Sequence, residues 1–180
     1  MIIFMGVAGS GKSLQGKRLA DELALPWLST GEFLRMLIAG QRRKDMLSGK
    51  LLEDKEIIKL VQKILGMINV HDEFVLDGFP RTTAQADWLL NQAKHGQLDV
   101  TAVVHLMASE ETVHKRLLSR GRQDDHTEAI AERFKEYEES IKPILAHFRE
   151  AGIPIFDIKG EDTVESVHAQ IMQDIQSVLG

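Results

Sequence analysis

The sequence contains no cysteine, which excludes disulfides, iron–sulfur ligation and thiolate zinc sites together and leaves the redox compartment unwritten. Positive charge is not in excess either. The formal net charge is -5, so the chain lacks the field that drives bulk nucleic-acid binding, and no nucleic-acid partner is expected. Long apolar runs are missing. The N-terminal stretch Ile2-Ile3-Phe4-Met5 has no basic flank and leads straight into a glycine-rich turn, so neither a signal peptide nor a membrane span is expected, and no membrane partner. The default expectation is a soluble cytoplasmic enzyme with access to nucleotide. There are four prolines, with no Pro/Ser-rich linker, internal repeat or low-complexity tract to divide the chain. The seven histidines are scattered without metal-ligand spacing and are expected on the surface or in packing. A length of 180 residues with 43% hydrophobic content supports one buried core, so residues 1–180 are expected to form one domain with small insertions; a monomer is expected, with an oligomer as the alternative.

What is present organises itself around Gly6-Val7-Ala8-Gly9-Ser10-Gly11-Lys12-Ser13, between the apolar run Ile2 to Met5 and Leu14-Gln15-Gly16-Lys17-Arg18-Leu19-Ala20. The order is strand, phosphate loop, helix. The spacing G-x-x-x-x-G-K-[ST] lets successive backbone N–H groups point into one concavity, because glycine reaches backbone angles closed to other residues. Lys12 adds a mobile positive charge for β and γ phosphates, and a helix starting near Gly11 or Lys12 adds unpaired N–H groups and the positive end of its dipole. Ser13 offers a hydroxyl to Mg²⁺. The four fixed positions arise by chance in a chain of this length on the order of 1% of the time, before the flanking strand and helix are considered.

Short β-type runs alternate with longer helical stripes, the pattern of an α/β fold with a parallel sheet. Strands are expected at Ile2 to Met5, around Trp27-Leu28, and at Glu73 to Leu76, Ala102 to Met107 and Pro154 to Ile158. Ile57, Leu60, Val61, Ile64, Leu65 and Ile68 recur at offsets of three and four, as one buried helical face requires. The same spacing marks a long helix through Ile130, Phe134, Tyr137, Ile141, Ile144, Leu145 and Phe148, with a bend expected at Pro143, and a last helix through Val164, Val167, Ile171, Ile175 and Val178.

Three further clusters carry chemistry. Ser29-Thr30-Gly31 opens a small helical insertion, and Arg35 falls one turn later, where N–H groups and a guanidinium can hold one phosphate; Arg42, Arg43 and Lys44, before Ser48-Gly49-Lys50, read as a solvated face. Glu73 to Leu76 runs into Asp77, and ligands of open parallel sheets bind beyond the carboxyl ends of strands, so Asp77 is expected to hold Mg²⁺, directly or through water. Gly78 permits close backbone approach, and Arg81 is placed for a second phosphate. Arg116, Arg120, Arg122, Asp124, Asp125 and Arg133 gather around one short turn, as phosphoryl transfer requires of groups that stabilise moving charge. Asp125 also begins a possible capping box, Asp125-His126-Thr127-Glu128.

In this order, Gly6 to Ser13, Ser29-Thr30-Gly31 with Arg35, Asp77-Gly78-Phe79-Pro80-Arg81-Thr82 with Gln85, Arg116 to Asp125, and Arg133 span almost the whole chain, which resembles a nucleoside monophosphate kinase and most of all the adenylate kinase family. The resemblance implies a P-loop NTPase three-layer fold, a five-stranded parallel sheet flanked by helices, and reversible transfer of the ATP γ-phosphoryl to AMP with Mg²⁺, giving two ADP. It implies a monophosphate-binding insertion at residues 30–54 and a lid, here reduced to a turn at 117–125. By the same resemblance Gly9, Ser10, Gly11, Lys12, Ser13, Leu14 and Arg116 bind ATP, and Thr30, Arg35, Gly78, Arg81 and Gln85 face AMP, with Gln85 reading the adenine. Lys12, Arg81, Arg120, Arg122 and Arg133 act on the phosphoryl group, and Ser13 and Asp77 serve the metal. The chain departs from the family pattern at Ala8, where proline is usual, and at Ser13-Leu14, where Gly-Thr is usual. A kinase for UMP, CMP or another monophosphate, and a nucleotide-binding switch without turnover, are the alternatives. Thr30, Thr82 and Gln85 favour AMP, and the retained arginines and Asp77 favour turnover.

Overall fold

A computed structural model describes residues 1–48, 52–123 and 125–179; Gly49, Lys50 and Asp124 lie outside the described residues. The chain alternates strand and helix: β1 (Ile2–Met5), α1 (Lys12–Glu22), β2 (Trp27–Ser29), α2 (Thr30–Leu37), α3 (Gly40–Leu47), α4 (Asp54–Leu65), β3 (Val75–Asp77), α5 (Thr83–Lys94), β4 (Ala102–Met107), α6 (Glu110–Arg120), α7 (Thr127–Glu150), β5 (Ile155–Lys159) and α8 (Val164–Leu179). All five expected strands form, β1 and β4 with the expected bounds and the other three shifted by one or two residues. β3 begins at Val75, two residues after Glu73, whose Oε1 lies 2.6 Å from the Met1 ammonium. At the other end β3 runs on to include Asp77 itself. α7 continues through Pro143 as one helix.

The strands form one parallel sheet in the order β2-β3-β1-β4-β5. β1 is apolar at every position because both sheet faces are covered. Ile3 and Met5 pack with Leu76, Val103 and the buried stripes of α4, α5 and α7, whereas Ile2 and Phe4 pack with Val75, Val104, Leu106 and the inner faces of α1 and α8. This is the period-two alternation of a strand, read by two different helix layers. The stripe of Ile57, Val61, Ile64 and Leu65 is buried as its spacing requires.

Topology then fixes the position of the site. From β1 the chain moves outward to β2, returns to β3 beside β1, and only then crosses to β4 on the other side. The connections therefore part at the carboxyl end of β1, where such sheets leave a crevice. Register makes the ends level: Phe4 pairs with Asp77, Ser29 pairs with Asp77, and Met5 pairs with His105. The glycine-rich loop and the β3 carboxylate thus emerge side by side.

Candidate active site

The loop from Gly6 to Gly11 leaves β1 pressed against β4. At Gly6, φ is +146° and a Cβ would lie 2.5 Å from the Leu106 carbonyl oxygen, so only glycine allows that approach. Gly11 precedes α1, whose first residues are Lys12 and Ser13. Lys12 bends back and its Nζ donates to the Val7 carbonyl at 3.3 Å. Crowded by protein atoms, its ammonium loses water, and this is the main cause that pushes its pKa from 10.5 down to about 8; Arg81, Arg120 and Arg35 push the same way, and Asp77 opposes them. The folded chain therefore binds fewer protons than the unfolded one between about pH 8 and 10.5. Lys12 opposes folding below that window, and the opposition fades as pH rises through it.

Across the crevice, Ser13 Oγ donates to Asp77 Oδ2 at 2.6 Å and Ser29 Oγ donates to the same oxygen at 3.2 Å. Asp77 is 1% exposed, yet its Oδ1 has no hydrogen-bond partner among the described residues. An orphaned carboxylate oxygen beside a hydroxyl is a set of hard oxygen donors, and it fits Mg²⁺. Beyond Asp77, Gly78 has φ +83°, and a Cβ there would come within 2.9 Å of Thr30 Oγ1. Arg81 Nε donates back to the Gly78 carbonyl at 2.9 Å.

Lys12, Arg35, Arg81, Arg116, Arg120, Arg122 and Arg133 all line one open cleft of about 340 Å³, together with Gly9, Gly11, Ser13, Leu14, Gly78 and Asp77. Asp77 is the one acid among its described lining residues. Arg116 lies against the outside of the phosphate loop, its Nη1 3.3 Å from the Ser10 carbonyl oxygen. Two further carboxylates hold the arginines from behind. Asp125 accepts from Arg120 Nε at 2.8 Å and Nη2 at 2.6 Å and from the Arg122 N–H at 3.1 Å, with Arg133 Nη1 at 3.9 Å. Glu32 Oε1 accepts from both Arg35 at 3.3 Å and Arg122 at 3.1 Å.

Three of the expected residues are not on the cleft wall. Ser10 is fully buried, with its Oγ facing Gly6. Thr30 is buried and its Oγ1 donates to the Asp77 carbonyl at 3.2 Å. Gln85 is 2% exposed and its amide is bonded to Arg81 N–H and to Asp54.

A scan of family models matches the adenylate kinase family over residues 4–153. Curated relatives agree. An adenylate kinase 1 of Synechocystis sp. is 35% identical over 175 residues, covering 92% of this chain and 91% of its own. An adenylate kinase of Corynebacterium aurimucosum is 34% identical over 177 residues, covering 95% and 96%. The chain belongs to the adenylate kinase family. Adenylate kinases are phosphotransferases that interconvert ATP and AMP with two ADP, and membership makes this chain a nucleoside monophosphate kinase. The family uses Mg²⁺ with ATP. A further adenylate kinase, from Archaeoglobus fulgidus, is 28% identical over 214 positions covering 98% of each chain, more positions than this chain has residues, so that relative carries segments with no counterpart here.

Within this adenylate kinase framework two expectations are corrected. The capping box does not form at Asp125: His126 is the N-cap of α7, its ring accepting from the Ala129 N–H, because Asp125 is drawn to the arginines instead. Arg42 and Lys44 are exposed as expected, Arg42 pairing with Glu56, but Arg43 is half-buried and its Nη1 donates to the Arg35 carbonyl at 2.9 Å, tying α3 to α2. Sequence reasoning missed Glu32 and Asp54. Glu32 had a local signal, its i,i+3 spacing to Arg35, but nothing local joins it to Arg122. Among the histidines, His105 is buried between Asp157 and Tyr137, 2.6 Å from each, and packs rather than ligates. No described helix is long and apolar enough to cross a membrane.

Proposed function

We propose that this chain transfers the γ-phosphoryl of MgATP to AMP. The observation that carries the proposal is the convergence of one lysine and six arginines on a single cleft at the carboxyl ends of β1 and β3. ATP lies along the phosphate loop, with Gly9 to Leu14 at its phosphates, Arg116 beside the donor base and Lys12 reaching the β and γ groups. AMP lies over Gly78, its phosphate held by Arg35 and Arg81 with Thr30 beside them, and its adenine meets Gln85. Ser13 and Asp77 would hold Mg²⁺, directly or through water, and the ion supplies neutralisation of phosphate charge. Residues 30–54 act as the acceptor insertion and 117–125 as a minimal lid.

An AMP phosphate oxygen attacks the γ-phosphorus in line as the bond to the bridging β–γ oxygen breaks. Little covalent work falls to the protein, so catalysis is positioning and charge stabilisation. Arg120, Arg122 and Arg133 gather around the moving group, exchanging Asp125 and Glu32 for phosphate oxygens. The enzyme works in the cytoplasm as a monomer, where both nucleotides are at hand.

Arg35→Ala and Arg81→Ala are each expected to cost about 2 to 4 kcal/mol in kcat/KM for AMP, the loss of one charged phosphate partner. Steady-state kinetics with AMP varied at saturating ATP checks this, and unchanged AMP kinetics in both variants ends the acceptor assignment. ATP affinity carries a pH signature. A bound polyphosphate restores the Lys12 proton, so affinity is fully present below about pH 8 and falls as pH rises beyond it. Calorimetric titration from about pH 7.5 to 9.5 tests it, and a flat profile removes Lys12 from the phosphates. Assay of each monophosphate with MgATP, watching which diphosphates form, tests the proposal as a whole.

A further inference from the structure

The amide of Gln85 is held at both ends by groups that permit only one orientation. Its Oε1 accepts from the Arg81 backbone N–H at 2.8 Å, and its Nε2 donates to Asp54 Oδ1 at 2.8 Å. An N–H only donates and a carboxylate only accepts, so the placement of oxygen and nitrogen follows from the partners. Asp54 Oδ1 is itself pinned, because Thr82 Oγ1 donates to it at 2.8 Å while accepting the Gln85 N–H as the cap of α5. A glutamine amide offers two hydrogens and two lone pairs. One of each is taken, and one of each is left.

We infer that Asp54 is a specificity-determining positioning residue: by fixing the flip of Gln85, it sets which nucleobase edge the acceptor site accepts. This rests on the reading that Gln85 meets the acceptor base. With nitrogen fixed on the Asp54 side and oxygen on the Arg81 side, the remaining hydrogen suits a ring-nitrogen acceptor and the remaining lone pair suits a neighbouring exocyclic amino group. Adenine presents that pair at N1 and N6. Guanine presents the reverse, an N1–H donor beside the O6 acceptor, so both contacts become repulsive. A free glutamine would escape by turning its amide over. Here the turn sets N–H against the Arg81 N–H and oxygen against the Asp54 carboxylate. Gln85 is 2% exposed, so little water is at hand to soften either mismatch.

Asp54→Asn keeps the shape but can present either an oxygen or an amino group, which releases one of the two locks. The ratio of kcat/KM for AMP to that for GMP is expected to fall by about tenfold or more, the cost of one mispaired buried hydrogen bond. The KM for ATP should track the native protein. A purely structural role would lower AMP and GMP efficiencies in parallel and leave the ratio unmoved. Asp54→Ser, whose hydroxyl also donates or accepts, serves if the asparagine variant does not fold. Gln85→Ala is measured alongside and is expected to lower the ratio further. If Gln85→Ala lowers the ratio and neither Asp54 variant does, the lock is overturned while the acceptor reading stands. If none of the variants changes it, the base is not read at Gln85 and both fail.

Discussion

Lys12→Ala is expected to abolish phosphoryl transfer while leaving the fold nearly intact. The ammonium is the one side-chain charge carried on the phosphate loop itself, and it bends over the loop to within 3.3 Å of the Val7 carbonyl oxygen. Removing a preorganised charge from developing phosphoryl charge typically costs roughly 10²–10³-fold in turnover, and a lysine that bridges two phosphates adds ground-state binding to that. Stability moves the other way. Because burial lowers the Lys12 pKa to about 8, the native protein carries an unfavourable charge at neutral pH that alanine does not, so the variant should melt no earlier than the parent. Single-turnover kinetics beside a thermal melt separates the two effects. Near wild-type turnover would remove the phosphate loop from the mechanism; a collapsed melt would show that the lysine is structural.

The second large effect concerns water. α6 ends at Arg120, Gly121 closes it in a left-handed turn, and α7 begins at Thr127, so on the proposed reading residues 117–125 leave little chain for a lid over the cleft. Arg120 and Arg122 are two residues apart, about 7 Å between Cα atoms at full extension, so both side chains can reach one phosphoryl group. They gather charge but do not enclose it, and kinases of this kind rely on closure to keep water from the γ-phosphorus. Acceptor-free hydrolysis of ATP to ADP and phosphate is therefore expected to be higher, relative to transfer, than in a family member with a full lid. Arg122→Ala should depress both reactions together by roughly 10³-fold, the scale at which an arginine finger acts, since each builds similar charge. ADP release measured with and without AMP, for the native protein, both arginine variants and a full-lid relative, decides the matter. An equal hydrolysis-to-transfer ratio would mean that α7 or a second subunit excludes water instead.

Local patterns made most of this protein legible. The phosphate loop, the five strands and the buried helical stripes each need only a few neighbouring residues to declare themselves, and each is found where those residues stand. Strand ends were less clear. Glu73 looked like the start of β3, but the strand begins at Val75 and Glu73 pairs with the amino terminus, a partner 72 positions earlier in the chain of which the local pattern says nothing. The seven cations stood out by residue type, and the structure brings them to one cleft. Two acids were not legible, because Glu32 meets Arg122 across 90 positions and Asp54 meets the amide of Gln85 across 31. Asp125 was legible as an acid beside a helix start. Only the spatial approach of Arg120 and Arg133 decides that it serves arginines rather than the helix.

The pairing of Glu32 with Arg35 and Arg122, and of Asp125 with Arg120, has a consequence for how the enzyme responds to its ionic surroundings. A cationic cleft lined by bare guanidinium groups would draw in buffer anions, and each arriving phosphate would have to displace them, giving a steep decline of affinity with salt. Here the neutralising partners are part of the chain. On the proposed reading, substrate phosphate would trade places with carboxylates that remain tethered nearby and recapture the arginines when product leaves. Dissolved ions take little part in that exchange, so the KM for AMP should vary only weakly with ionic strength. The tethered acids would also speed departure on that reading, since an arginine with another partner within reach does not release a diphosphate into an unbalanced site.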